Sequence, residues 1–171
     1  MYRKLQARLA ATTVGAVTIM AMAAGPAAAA PPVVVLDESF EDNYSVPAEE
    51  DPCGVDTDVT LVEHVRITEF LDKDGNVRSA QVHVHGTTTT TSAHGELVDR
   101  WALTERFDLE AGTVATTGNV WNVHPASGGR VLINDSGRVV MDLETGEPIS
   151  IRGPHDTLEG NFEAACAILN P

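Results

Sequence analysis

Two histidines separated by one residue, His83 and His85 in QVHVHGTTTTT, carry the strongest chemical signal in the chain. On a β-strand that spacing puts both imidazoles on one side, because successive side chains alternate between faces. Many metal sites begin this way. What the pair can meet depends on the neighbouring strand. Asp74-Gly75 favours a two-residue type I′ turn, which pairs Lys73 with Asn76. Val65 then faces Val84 and Ile67 faces Val82, so apolar residues coincide on one face. On the opposite face His64 lies across from His85, and Arg66 across from His83. His64, His83 and His85 make a three-imidazole set suited to zinc, with a fourth position open to water. A three-residue turn, Lys73 to Gly75, sets Glu63 opposite His85 instead, a pair of imidazoles with one carboxylate. That register mixes polar and apolar residues on both faces and takes second place. The polar character of the His64 face, and Arg66 beside His83, argue for solvent-facing histidines, so no cofactor is expected.

Carboxylates supply the second chemistry. In ELVDRWALTERFDL, Leu97, Trp101, Leu103, Phe107 and Leu109 share one strand face, interrupted by Asp99 and Glu105. In the strand before the histidines, Val59, Leu61, Val65, Ile67 and Leu71 form a similar face, interrupted by Glu63 and Glu69. Carboxyls on an inner face serve as general acids or bases where burial raises their pKa. The blander reading puts them at a rim, in a water-filled cavity, or at a bulge. Trp101, Leu103, Phe107 and Trp121 are the candidate lining for a small-molecule ligand.

Other motifs fail. NDSGR and SAHG faintly resemble the serine and histidine segments of trypsin-like proteases, but the chain is too short for that two-barrel fold and Ser136 sits in a turn signal. There is no Gly-x-Ser-x-Gly nucleophile elbow and no glycine-rich phosphate loop. DKDGN has its glycine too early for an EF-hand loop. His155 beside Asp156 reads as part of a connection.

The elements that must position these groups are short strands. KDGN, SAHGE, LEAGT, SGG, DSGR and ETGEP punctuate the chain at short intervals, with valine and threonine between them. Near the N-terminal side, a short strand is expected over Val33 to Asp37. Helical character is confined to TLEGNFEAACAILN near the C-terminus, a short helical turn. This pattern predicts an all-β fold: an antiparallel up-and-down meander of about eight strands, in a closed or nearly closed barrel, with a β-sandwich as the alternative.

Arg3, Lys4 and Arg8, the apolar run over 9–24 and the alanines before Pro31 predict a signal peptide over 1–29. An acidic segment over 30–52 and a single β-barrel domain over 53–171 follow. The expected location is therefore extracellular, without stable membrane anchoring. Removing the signal takes three of the 11 basic residues and none of the 25 acids, moving the formal charge from −14 to −17. Such a chain repels phosphate backbones, so no nucleic acid is expected as a partner. The chain has 2 cysteines, Cys53 and Cys166, and in an exported protein an isolated pair predicts a disulfide.

The signal peptide, SFED, PCG, the DKDGN hairpin, TTGNVW, GRVVMDLETGEPISIRGPHD and the terminal CAIL together resemble small secreted actinobacterial proteins. The resemblance implies a secreted β-barrel and brings no activity or functional residue with it. The sequence reading is thus a non-enzymatic secreted barrel that binds a small apolar ligand or an envelope partner. The alternative is a metal-dependent or carboxylate-based extracellular enzyme.

Overall fold

The computed structural model describes residues 31–171, so the expected signal peptide over 1–29 lies outside the described residues. The chain forms β1 (Val33–Val46), β2 (Thr57–Leu71), β3 (Val77–Thr91), β4 (Glu96–Asp108), β5 (Thr113–Pro125), β6 (Ile133–Asp142) and β7 (Pro148–Arg152). Two short helices follow, α1 (Asp156–Glu159) and α2 (Glu163–Leu169). All seven strands belong to one sheet in the order β1-β2-β3-β4-β5-β6-β7, each antiparallel to the next. The all-β antiparallel meander is therefore as the turn spacing predicts.

Closure is not. Among the described residues the sheet is open, with β1 and β7 at its edges. β7 has 5 residues against the 14 of β1, and no strand among the described residues pairs with the free side of either. Nor is there, among the described residues, a second sheet to make a sandwich. The strand count falls to seven because DSGR is not a turn. Asp135 to Arg138 run through the interior of β6, with Gly137 directly opposite Gly118 of β5. Both glycines have positive φ, 127° at Gly118 and 129° at Gly137. A side chain at Gly137 would also lie 3.0 Å from the Arg152 carbonyl carbon. The glycine–serine pair thus marks an in-strand bend, which has turn-like composition without reversing the chain. At the other end, β1 runs on to Val46 rather than stopping at Asp37. Its pairing with β2 holds through Val46 opposite Thr57.

The β2–β3 hairpin combines the two registers open to the sequence. Its tip is the longer turn: Asp72 donates its N–H to the Asn76 carbonyl at 2.8 Å, and Gly75 has φ 85°. The Asp72 carboxylate accepts the Asp74 and Asn76 N–H groups at 2.8 and 2.9 Å. Leu71 then pairs with Val77, whereas Phe70 pairs with Ser79, leaving Arg78 as a bulge. That bulge restores the apolar register. Val65 faces Val84, Ile67 faces Val82, His64 faces His85 and Arg66 faces His83. Matching of the apolar face decides the pairing, and the turn adapts to it.

The inner face carries the buried residues Val59, Val65, Val82, Leu97, Val114, Val123 and Ile133. The densest cluster lies at one end, where Ala165 and Leu169 of α2 pack on Leu97, Val123 and Ile133. The Cys53–Cys166 disulfide ties α2 to the β1–β2 connection, with Cα atoms 4.9 Å apart across 113 positions. Ser92 donates to the Leu169 carbonyl at 2.7 Å, and Asn170 to the Cys53 carbonyl at 3.0 Å. No helix among the described residues is long and apolar enough to cross a membrane.

Candidate functional site

The three histidines gather on the outer face, but not as metal ligands. His64 and His85 stack with ring centroids 5.2 Å apart and planes inclined by 29°. His64 Nε2 lies 3.1 Å from Asp37 Oδ1, and His83 Nδ1 lies 2.9 Å from Thr104 Oγ1. His64 and His83 thus each have a polar partner, and the stacked rings of His64 and His85 present faces to one another rather than nitrogens to a shared centre. Among the described residues no three His, Cys, Asp or Glu side chains are grouped to hold a metal ion. The arrangement with Glu63 opposite His85 does not form: Glu63 faces Gly86, on the other side of the sheet.

The ladder-paired arginines and histidines keep to one face, whereas carboxylates stand on both. Register and strand alternation put His64, Arg66, His83, His85, Arg100, Arg106, His124 and Arg138 on the outer face. The same alternation puts Glu63, Glu69, Asp99, Glu105 and Asp135 on the inner face, with Glu38 and Asp42 of β1. No ladder-paired Arg or His among the described strands shares that face. Its apolar members include three of the expected lining residues, Trp101, Leu103 and Phe107, each half-buried. The fourth, Trp121, packs against the cluster beneath α2 and is set apart from them. The surface hollow lined by Asn43, Tyr44, Ser45, Asp58, Val59 and Thr60 lies at the β1–β2 rim, away from these side chains.

The inner carboxylates have different environments. Asp99 is 5% exposed and accepts the Asn122 N–H at 2.6 Å. Desolvation pushes its carboxyl up to about 6, against the Asn122 hydrogen bond and the nearby His124; the Asp135 charge adds to the rise. It braces a bulge: the β4–β5 ladder slips between Asp99 and Ala102, and the β5–β6 ladder between Asn119 and Trp121. Asp135 accepts the Thr157 N–H at 3.0 Å and the Thr157 hydroxyl as well. Asp156 accepts the Asn134 N–H at 2.8 Å. These two acids fasten α1 onto β6 and leave no carboxylate oxygen pair aimed at a reacting group. Glu105 is raised by burial and accepts from the Thr116 hydroxyl at 3.4 Å. Glu63 is also raised by burial, and among the described residues no hydrogen bond or ion pair reaches it.

Sequence reading missed Asp135 and took His155 only as part of a connection; His155 is buried, and the two residues form a backbone bridge to one another. It also missed Gly86, whose position between Glu63 and Trp101 is visible only once three strands are in register. Gly86 lets the Trp101 ring settle onto the backbone: an added Cβ would lie 2.9 Å from Trp101 Cζ2 and 3.1 Å from the Glu63 Cα. Trp101 Nε1 donates to Thr88 Oγ1 at 3.3 Å, which fixes the plane of the ring.

No family model matches the chain, no curated protein matches it, and no solved structure matches it.

Proposed function

We propose that this is a secreted, non-enzymatic binding protein of the β-barrel type, whose inner sheet face takes a small ligand with an apolar part. The observation that carries the reading is the inner face itself. Trp101, Leu103 and Phe107 stand in a row on β4 and are only half-buried. No element among the described residues other than α1 and α2, at one end, packs over the sheet. The part of these side chains that still meets water is unfavourable by about 25 cal/mol per Å², and a ligand's apolar part would cover it. Secretion rests on the signal-like residues 1–29 and on the disulfide, which persists in oxidising compartments. Resemblance to small secreted actinobacterial proteins supports the same location.

The enzymatic alternative draws its support from the raised carboxyls of Asp99 and Glu105. It is the weaker reading because Asp99 already serves a backbone N–H and Glu105 a threonine hydroxyl. A metal-dependent version has less support still, given the stacked His64 and His85 rings.

Native mass spectrometry of the protein purified from its natural host tests the proposal. A retained organic adduct, lost on Trp101→Ala but not on His85→Ala, is the expected result. A bare polypeptide mass at the gentlest ionisation, with no adduct from several growth conditions, overturns it.

A further inference from the structure

We propose that Glu63, Gly86 and Trp101 form a subsite for a small organic ammonium ion. This deepens the ligand-binding reading above and rests on it. One row crosses the inner face: Phe40 of β1 opposite Glu63 of β2, Glu63 opposite Gly86 of β3, and Gly86 opposite Trp101 of β4. A carboxylate thus stands between two aromatic side chains, with a residue that has no side chain beside it. Only glycine fits at position 86, because the indole edge and the Val62 carbonyl occupy the space a Cβ would need. The indole edge thus lies across Gly86 against the backbone of Glu63, which sets the ring beside the residue that carries the carboxylate.

The chemistry of that pair selects a cation with an apolar coat. An indole face attracts an ammonium through the ring quadrupole, and more strongly where water is displaced. The Glu63 carboxylate, half-buried and unpartnered among the described residues, supplies the opposite charge. It cannot be neutralised from within the sheet, since Arg66, Arg100 and Arg106 all stand on the outer face. A divalent metal is a poor fit, because a single carboxylate and two rings do not make a set of hard oxygen ligands. An anion would meet Glu38, Glu63, Glu69 and Glu105 on one face. Beyond the pair, Val65, Val84 and Leu103 lie one row along the same face. Val65 is buried, and the partly exposed Val84 and Leu103 offer contact to an alkyl chain attached to the ammonium.

The test titrates the disulfide-intact protein at mildly alkaline pH with hexyltrimethylammonium, hexanol and hexanoate, following tryptophan fluorescence and calorimetry. The ammonium is expected to bind about tenfold or more tighter than hexanol, and hexanoate more weakly than either. Glu63→Gln should remove that preference while leaving hexanol binding unchanged. Glu41→Gln, an equal loss of charge on the outer face of β1, should leave the preference intact. Equal affinity for ammonium and alcohol, or a preference that survives Glu63→Gln, overturns the ammonium subsite and leaves the apolar ligand face standing. Absence of binding by all three probes also overturns the subsite, whereas the ligand face then stands or falls on the native adduct. Trp101→Phe, which keeps a ring over Gly86, should weaken the ammonium without abolishing it. Thermal melts of each variant separate loss of binding from loss of fold.

Discussion

Asp99 Oδ1 receives the Asn122 backbone N–H at 2.6 Å where the β4–β5 ladder slips between Asp99 and Ala102 and the β5–β6 ladder slips between Asn119 and Trp121. The carboxylate is therefore a brace for a bulge, and it is ionised only at a cost, since burial raises its carboxyl from 3.8 to about 6. The folded chain holds the Asp99 proton more tightly than the unfolded chain does. The stability it contributes is fully present below about 3.8 and lost as pH climbs through about 6. At about 1.36 kcal/mol per unit, the loss is on the order of 3 kcal/mol. Urea denaturation across that window should show a falling stability for the parent. Asp99→Asn, which keeps the acceptor for Asn122, should flatten the fall; parallel curves would show that Asp99 does not titrate in it.

Reduction of Cys53–Cys166 should lower the melting temperature sharply. The bridge spans 113 positions and joins α2 to the β1–β2 connection. The chain-entropy account gives about 5 kcal/mol for a loop of that length. Cys53→Ser with Cys166→Ser should behave like the reduced parent in calorimetry. A double variant that melts with the oxidised parent would mean that α2 is held by packing alone.

Gly137→Ala should destabilise by at least about 1–3 kcal/mol from the φ of 129° alone. The close Arg152 carbonyl adds to it. Gly118→Ala should behave likewise, since its Cβ would lie 2.9 Å from the Leu103 Cα. Chemical denaturation reads both. Parent-like midpoints would show that the β5–β6 bend is not required.

The histidine cluster should be dispensable. His83→Ala with His85→Ala is expected to change stability by no more than about 0.5 kcal/mol, the usual range for exposed positions. Zinc added to the untagged protein should leave its melting curve unmoved. One equivalent of tightly held metal per chain, lost in the double variant, would reverse that view of the outer face.

The register of β2 against β3 was readable because apolar coincidence is a strong constraint: Val65 with Val84 and Ile67 with Val82 leave one sensible pairing. The bulge at Arg78 was not, because a slip of one residue near a turn changes nothing in the composition. DSGR misled for the opposite reason, since glycine and serine suit a bend within a strand as well as a reversal between strands. Inner-face acids could be seen in the alternation of ELVDRWALTERFDL. Their separate fates could not. Asp135 reaches Thr157 over 22 positions, and Glu63 meets Trp101 across Gly86 only after β3 and β4 are aligned.

An open ladder has a further consequence, for association between copies. A free strand edge is a template on which another chain can pair, and long edges lead to fibrous aggregation. β1 carries Asp37, Glu38, Glu41 and Asp42 and no lysine or arginine, so two β1 edges brought together would align like charges. β7, at the other edge, has 5 residues and opens on Pro148, which offers no N–H. The acidity of the first strand thus opposes pairing of its edge with a second copy, and acid or concentrated salt would weaken that opposition.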